Sequence, residues 1–196
     1  MELEDSTLIR MSLSGDTKAI DALVKRYQRA LYTFLLRLTG DQDRADDLFQ
    51  ETFLRVLQSL DSYEEREKFG SWLFRIANRV AVDSWRRSRT SRKHITTDTQ
   101  EIIGAIDGQP LPDMVVEQAE LVGKIESTLR ILSDKQRRVF LLRMHGDLRF
   151  REIAEILEEP LNTVLSHMRY AVARLRKDLL PYYKQDSIFL GKGKPK

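Results

Sequence analysis

Residues 150–175 read FREIAEILEEPLNTVLSHMRYAVARL, and this stretch decides the fold of the C-terminal half of the chain. An apolar pattern of helical period ends at Leu157, the run Glu158-Glu159-Pro160 breaks it, and a second helical period follows. Ala154 is small where two helices would cross closely. Pro160 suits the first turn of a helix, because the N–H group that it lacks would be unpaired there anyway. The stretch therefore predicts a helix-turn-helix.

The second helix of this motif has a polar edge opposite its apolar one. Such a helix can lay its polar edge in the major groove of DNA, while basic residues around it hold phosphates. The residues predicted to contact DNA here are Arg149, Arg151, Thr163, Ser166, His167, Arg169, Tyr170 and Arg174. The alternative at this point is an ordinary helical hairpin with a solvated polar face.

Apolar residues recur at steps of three and four through most of the remaining chain, which predicts helices. Residues 94–117 interrupt this pattern with glycines, prolines and acidic residues, and they are too many for an ordinary loop within a compact domain. The sequence predicts an all-α protein of two small helical domains joined by a flexible linker, the second domain being a helix-turn-helix bundle. The predicted parts are a helical domain over 5–92, a linker over 93–118, a helix-turn-helix domain over 119–180 and a mobile tail over 181–196.

Composition narrows the class of protein. The chain has 196 residues, no cysteine and a formal net charge of +3. Without cysteine there is no disulfide framework, thiolate metal site or cysteine nucleophile. No apolar run approaches the roughly 18 residues that span a bilayer, and the acidic start of the chain does not resemble a signal peptide. We expect a cytoplasmic protein without a membrane insertion.

Basic and aromatic side chains alternate along the predicted helix that begins near Phe69. Trp72 and Trp85 lie among arginines, and a dense basic cluster follows over 86–93. Aromatic rings stack on bases and cations pair with phosphates, so this mixture favours single-stranded nucleic acid. The alternative is that Trp72 belongs to the core and the arginines are solvated.

Acidic residues crowd the preceding predicted helix. Asp43, Asp47 and Glu51 share one face at steps of four. Part of this acidity is explained by the favourable interaction of carboxylates with a helix N-terminus. A carboxylate metal site would need a Glu-x-x-His partner, which the three histidines do not supply. The pattern favours a face that docks on a basic protein surface, with no metal, no cofactor and no catalytic constellation, so we expect the chain not to be an enzyme.

Three stretches together resemble the two-domain, extracytoplasmic-function (ECF) group of bacterial sigma factors. They are residues 43–53 (DRADDLFQETF), residues 69–77 (FGSWLFRIA) with Asp83, Arg86 and Arg87, and residues 132–143 (LSDKQRRVFLLR) with 153–157 and 160–175. The likeness covers residues 8–178. It implies a subunit that binds core RNA polymerase and directs promoter-specific initiation by recognising −10 and −35 elements.

The resemblance also assigns roles to residues. It implies that the acidic helix docks on a coiled coil of the largest polymerase subunit, through Asp43, Asp46, Asp47, Gln50 and Glu51. It implies that the loop 61–68 captures a flipped base and that the next helix opens the −10 element, whose contacts are Asp61, Ser62, Tyr63, Lys68, Phe69, Trp72, Arg75, Asn78, Arg79, Asp83, Arg86 and Arg87. Helix-turn-helix contacts would then read duplex −35 DNA. Family members are often held inactive by an anti-sigma factor.

The chain departs from the family pattern at three places. Asn78 stands one position earlier than the usual asparagine, and Glu158 replaces a glycine in the turn. Leu165 and His167 stand where the recognition helix usually carries cations. The first departure predicts a different −10 base preference, and the last a different −35 sequence.

Two other classes of protein compete with this interpretation. A free-standing helix-turn-helix regulator would bind duplex DNA as a dimer, but would leave the acidic helix and the linker unexplained. An enzyme with a helical carboxylate site would hold iron or manganese.

Overall fold

The computed structural model of the chain describes residues 3–63, 68–91 and 112–189, and these ranges contain α-helices and no strand. The helices are α1 (Asp5–Leu13), α2 (Thr17–Thr39), α3 (Gln42–Ser59), α4 (Phe69–Ser91), α5 (Pro112–Ile131), α6 (Asp134–His145), α7 (Phe150–Leu157) and α8 (Leu161–Phe189). A short 3₁₀ turn, Leu60–Ser62, follows α3. The predicted all-α class is confirmed.

Local side chains explain where several helices begin and end. The Asp41 carboxylate accepts a hydrogen bond from the backbone N–H of Arg44 at 3.0 Å and caps α3. Ser133 and Gln136 form a reciprocal capping box at the start of α6. Gly40 ends α2 with a φ of 67°, a left-handed conformation that glycine adopts without steric cost.

Helix bounds differ from the sequence prediction at three places. Helix α5 begins at Pro112, inside the segment predicted as a linker, because proline's fixed φ and missing N–H suit the first helical position. Pro160 precedes α8 rather than opening it, and its carbonyl accepts from Val164 N at 3.1 Å. The backbone of α8 continues through Pro181 into the predicted tail. Most of the linker predicted over 93–118, namely residues 93–111, and the end of the tail predicted over 181–196, namely residues 190–196, lie outside the described residues.

Helices α1 to α4 form one bundle and α5 to α8 a second one. Phe34 of α2 and Phe74 of α4 are buried and meet edge to face, with ring centroids 5.4 Å apart. In the second bundle, Leu142 of α6, Ile153 of α7 and Val164 of α8 are all fully buried. Each such aliphatic side chain stabilises the fold by about 1.5–3 kcal/mol. The helix-turn-helix is thereby held on its apolar side.

The two bundles also touch, α2 against α6 and α4 against α7. Arg37 Nη1 lies 3.2 Å from His145 Nε2, and Arg137 Nη1 donates to Leu38 O at 3.4 Å. Because a guanidinium can only donate, the His145 nitrogen is the acceptor and carries no proton. Burial, assisted by the Arg37 charge, lowers the pKa of His145 to about 4. His145 thus lies between the bundles, because α2 packs against the C-terminal end of α6.

Candidate polymerase and nucleic-acid interface

The recognition helix α8 presents a polar, basic surface opposite its buried side. Val164, Ala171 and Leu175 point inward. The predicted DNA contacts fall in two groups by exposure: Arg149, Arg151, Ser166, Arg169, Tyr170 and Arg174 are exposed, whereas Thr163 and His167 are half-buried. The turn before α8 is tight, since Glu158 takes a left-handed φ of 54°.

His167 faces the turn of the motif. Its Nε2 atom lies 3.3 Å from Glu159 Oε2, an ion-pair distance, and both atoms are buried without an aligned hydrogen-bond partner in the described part of the chain. Lys135 Nζ, at the start of α6, lies 2.5 Å from the other oxygen of Glu159. Glu159 therefore lies between Lys135 of α6 and His167 of α8, and the His167 ring nitrogen is turned away from the outer surface of α8.

Arg174 is also engaged within the bundle. Its Nε donates to Asp178 Oδ2 at 3.1 Å, and the same carboxylate oxygen accepts from Thr128 Oγ1 at 3.2 Å. This links α8 to α5. By contrast, Arg169 and Tyr170 point outward from the third turn of α8, and Tyr170 is 65% exposed.

Helix α3 presents its acidic residues on the outside of the first bundle. Asp43, Asp47 and Gln50 are exposed, while Asp46 and Glu51 are half-buried. Glu51 Oε1 accepts from Arg55 Nε at 2.8 Å. Burial and a hydrogen bond to Asp46 raise the pKa of Tyr32. The face predicted to dock on a protein therefore has two kinds of carboxylate. Asp43 and Asp47 are exposed to solvent, whereas Asp46 and Glu51 are half-buried and hydrogen-bonded to neighbouring side chains.

A cleft of about 650 Å³ separates α3 from α4. Its lining residues are Arg55, Gln58, Ser59, Trp72, Arg75, Ile76 and Arg79. Sequence reasoning named the α4 residues Trp72, Arg75 and Arg79 but missed the three from α3. The sequence feature that could have identified these three residues is their spacing, because positions 55, 58 and 59 lie on one side of the acidic helix. Arginines around a tryptophan suit a nucleobase and its phosphate.

The remaining residues predicted to contact the −10 element occupy different environments. Six of them are exposed, namely Asp61, Ser62, Lys68, Arg79, Arg86 and Arg87. Phe69 is 2% exposed and Asn78 is 6% exposed, so these two belong to the inner side of α4. Asp83 lies 3.3 Å from Arg55 in an ion pair. The predicted loop is described only at Asp61–Tyr63 and Lys68.

Aromatic rings gather where α4 begins. Trp72 is half-buried, and its ring centroid lies 5.1 Å from that of Tyr63 and 5.7 Å from that of Phe69. One side of Trp72 therefore packs in the core while the other lines the cleft. The core interpretation therefore holds for one side of this ring, and nucleic-acid contact by the other side stays a prediction.

Carboxylates of the helix-turn-helix stand against the same end of α4. Ser71 Oγ donates to Glu152 Oε1 at 2.7 Å, and Arg75 Nη2 lies 3.8 Å from Glu155 Oε2. Burial acts to raise the pKa of Glu152. The hydrogen bonds from Arg149 N–H and Ser71, with the nearby charges of Arg149 and Lys68, outweigh it, and the net result is a lowered pKa. In this arrangement α7 covers part of the predicted −10 surface.

Among the described residues, no group of three or more histidines, aspartates and glutamates is placed to hold a metal ion. None of the described helices is long and apolar enough to cross a membrane.

Comparison with known proteins places this geometry in a family. The family model for Sigma-70 region 2 matches residues 23–91, and the model for Sigma-70 region 4 matches residues 123–175. The ECF RNA polymerase sigma factor SigX of Bacillus subtilis is 33% identical over 161 residues, which cover 80% of this chain and 81% of the relative. SigW of the same organism is 29% identical over 188 residues, which cover 91% of this chain and 98% of the relative.

Solved structures share the fold. The sigma factor RpoE of Bartonella quintana, in complex with the anti-sigma factor NepR, aligns with a TM-score of 0.68 at 23% identity, over 83% of this chain and 98% of that one. The chain belongs to the ECF sigma factors, which bind core RNA polymerase and direct transcription initiation at promoters. This membership does not favour a free-standing regulator.

Proposed function

We propose that this sigma factor uses three separate surfaces. The exposed acidic face of α3 binds core RNA polymerase. The cleft between α3 and α4 binds the opened −10 strand, and α8 recognises −35 DNA. The observation that carries the proposal is the separation of charge, since exposed carboxylates lie on α3 and exposed cations on α8. Opposite charges on one chain suit a basic protein partner and a polyanion.

The −10 contact set that the structure supports is the cleft and its rim. A base entering the cleft meets the exposed side of Trp72 and the guanidinium groups of Arg75 and Arg79. Stacking on such a platform offsets the cost of unstacking, which is a few kcal/mol per base. Opening DNA in this way needs no nucleotide hydrolysis. We therefore propose that the chain itself catalyses no reaction and works beside the polymerase in the bacterial cytoplasm, where an anti-sigma factor regulates it.

The −35 contacts divide according to what each side chain already binds. Arg169 and Tyr170 reach outward from α8, and we assign them to base edges together with Thr163 and Ser166. Arg149 and Arg151 flank the motif and suit phosphates. His167 and Arg174 support this surface through their contacts with Glu159 and Asp178.

Core binding is tested most cleanly at Asp47. Its side chain is exposed, whereas Glu51 is bonded to Arg55, so Asp47→Lys reverses a charge without breaking an ion pair that the structure shows. We expect Asp47→Lys to lower affinity for purified core polymerase at least tenfold and to abolish promoter-specific transcripts in vitro. Close charge pairs at interfaces couple by about 1.5–7 kcal/mol, which makes a tenfold loss the lower bound.

Asp21→Lys is the matched control. Asp21 is exposed on α2 and its reversal changes the net charge by the same amount. This variant should bind core polymerase normally. Equal affinities of the two variants would contradict the assignment of α3, and promoter binding without core polymerase would restore the free-standing regulator.

A further inference from the structure

The first two turns of α8 carry an exposed aliphatic side chain on the surface that would face the major groove. Leu165 is 38% exposed. Asn162 precedes it by three positions and Arg169 follows it by four, and both are exposed. Residues three and four apart are neighbours on a helix surface. Leu165 therefore lies inside the DNA-reading surface rather than beside it.

Polar groups around Leu165 are partly engaged within the protein. The Ser166 hydroxyl donates to Asn162 O at 2.8 Å, so its hydrogen points along the helix. His167 Nε2 is buried 3.3 Å from Glu159. Hydrogen-bond readout by this part of α8 thus falls to Asn162, Thr163, Arg169 and the lone pairs of the Ser166 hydroxyl, which can still accept. Leu165 is the exposed apolar side chain among them.

An aliphatic side chain recognises one feature of the major groove, the C5 methyl group of thymine. We propose that Leu165 is a specificity-determining residue that packs on a thymine methyl group in the −35 element, an inference that rests on the proposed −35 function of α8. Removing one methyl group from water strengthens binding about fourfold. An arginine at the same position would instead place two donors toward guanine.

The experiment removes the methyl group rather than the base pair. Holoenzyme reconstituted from core polymerase and the full chain selects duplex promoters whose −35 segment is randomised and carries either thymine or deoxyuridine. The rest of each duplex is a genomic promoter that the same holoenzyme transcribes in vitro. For the natural chain we expect one −35 position where thymine is preferred about fourfold over deoxyuridine.

Three variants locate the effect. Leu165→Ala should lose the methyl preference at that position, and Leu165→Arg should select guanine there. Leu180→Ala is the matched control, because Leu180 is an exposed leucine of the same helix, at 47%, and lies about four turns beyond Leu165. It should keep the preference.

Each outcome decides between the two proposals. An enriched −35 sequence with no methyl-dependent thymine, or a methyl preference that survives in Leu165→Ala, overturns the role of Leu165 and leaves the −35 function standing. Failure to enrich any −35 sequence overturns both.

Discussion

Glu158 holds a backbone conformation that the family pattern assigns to glycine. Its φ of 54° and ψ of 43° end α7 in the left-handed region. For a residue with a Cβ atom this region costs about 1–2 kcal/mol. The helix-turn-helix therefore forms without the usual glycine because burial of residues such as Ile153 and Val164 outweighs that cost.

Replacing Glu158 by glycine should stabilise the protein by about 0.5–1 kcal/mol. Relief of the left-handed strain exceeds the additional chain entropy of an unfolded glycine, which is about 0.4–1 kcal/mol. Urea unfolding of the full chain measures the change. Glu158→Ala removes the carboxylate and keeps the Cβ atom, so it should leave stability nearly unchanged. If alanine stabilised as much as glycine, charge rather than backbone strain would be the cause.

At the scale of elements, Arg137 joins three helices. Its guanidinium donates to Leu129 O at 2.9 Å and to Arg130 O at 3.2 Å at the end of α5, and to Leu38 O at 3.4 Å at the end of α2. Carbonyl groups at helix ends lack partners within their helix. One half-buried side chain thus caps two helices, and desolvation lowers its pKa.

Arg137→Lys should therefore destabilise the second bundle by about 2 kcal/mol. A lysine ammonium is a compact group that cannot reach this set of carbonyls together, and a hydrogen bond to a charged group is worth about 1.5–3 kcal/mol. Thermal unfolding followed by circular dichroism measures the effect. Arg138→Lys is the control, since Arg138 makes one long bond, of 3.4 Å, to Asp134 O. Equal losses in both variants would show that the caps do not matter.

At the scale of the whole molecule, the contact between the bundles limits how far apart the two DNA surfaces can lie. A compact chain of this length has a radius of gyration of about 16 Å. The −10 and −35 elements lie about 25 base pairs apart, which at about 3.4 Å per pair is about 85 Å. Binding both elements therefore requires the bundles to separate.

This contact should weaken as pH falls from about 6.5 towards 4. His145 is neutral between the bundles with a pKa of about 4, compared with 6.5 for a free side chain. Separated bundles therefore bind a proton at His145 that the closed form excludes, and acid favours separation. Glu152 also stabilises the contact, because its pKa is lowered from 4.5. Its contribution is lost only when the pH falls below that value.

Energy transfer between dyes on the two bundles measures this opening. The chain contains no cysteine, so Asp21→Cys and Ala173→Cys provide exposed attachment points. We expect transfer efficiency to fall across this pH range. In His145→Gln the glutamine side chain can still accept a hydrogen bond from Arg37 but does not bind a proton in this pH range. This variant should therefore show no fall in transfer efficiency. A profile that is equally steep in the glutamine variant would assign the opening to other groups.

The sequence by itself determined the helices and the helix-turn-helix, because apolar period, caps and turn residues are local signals, and it determined the charge that each helix would expose. Only the tertiary structure decided which side chains are available. Arg55 lines the cleft, Asn78 is buried on the inner side of α4, and His167 contacts Glu159. The sequence did not show these positions, because burial depends on which faces of the helices pack together. The position of His145 between the bundles depends on a contact between α2 and α6, which lie far apart in sequence, and periodicity within either helix carries no information about it.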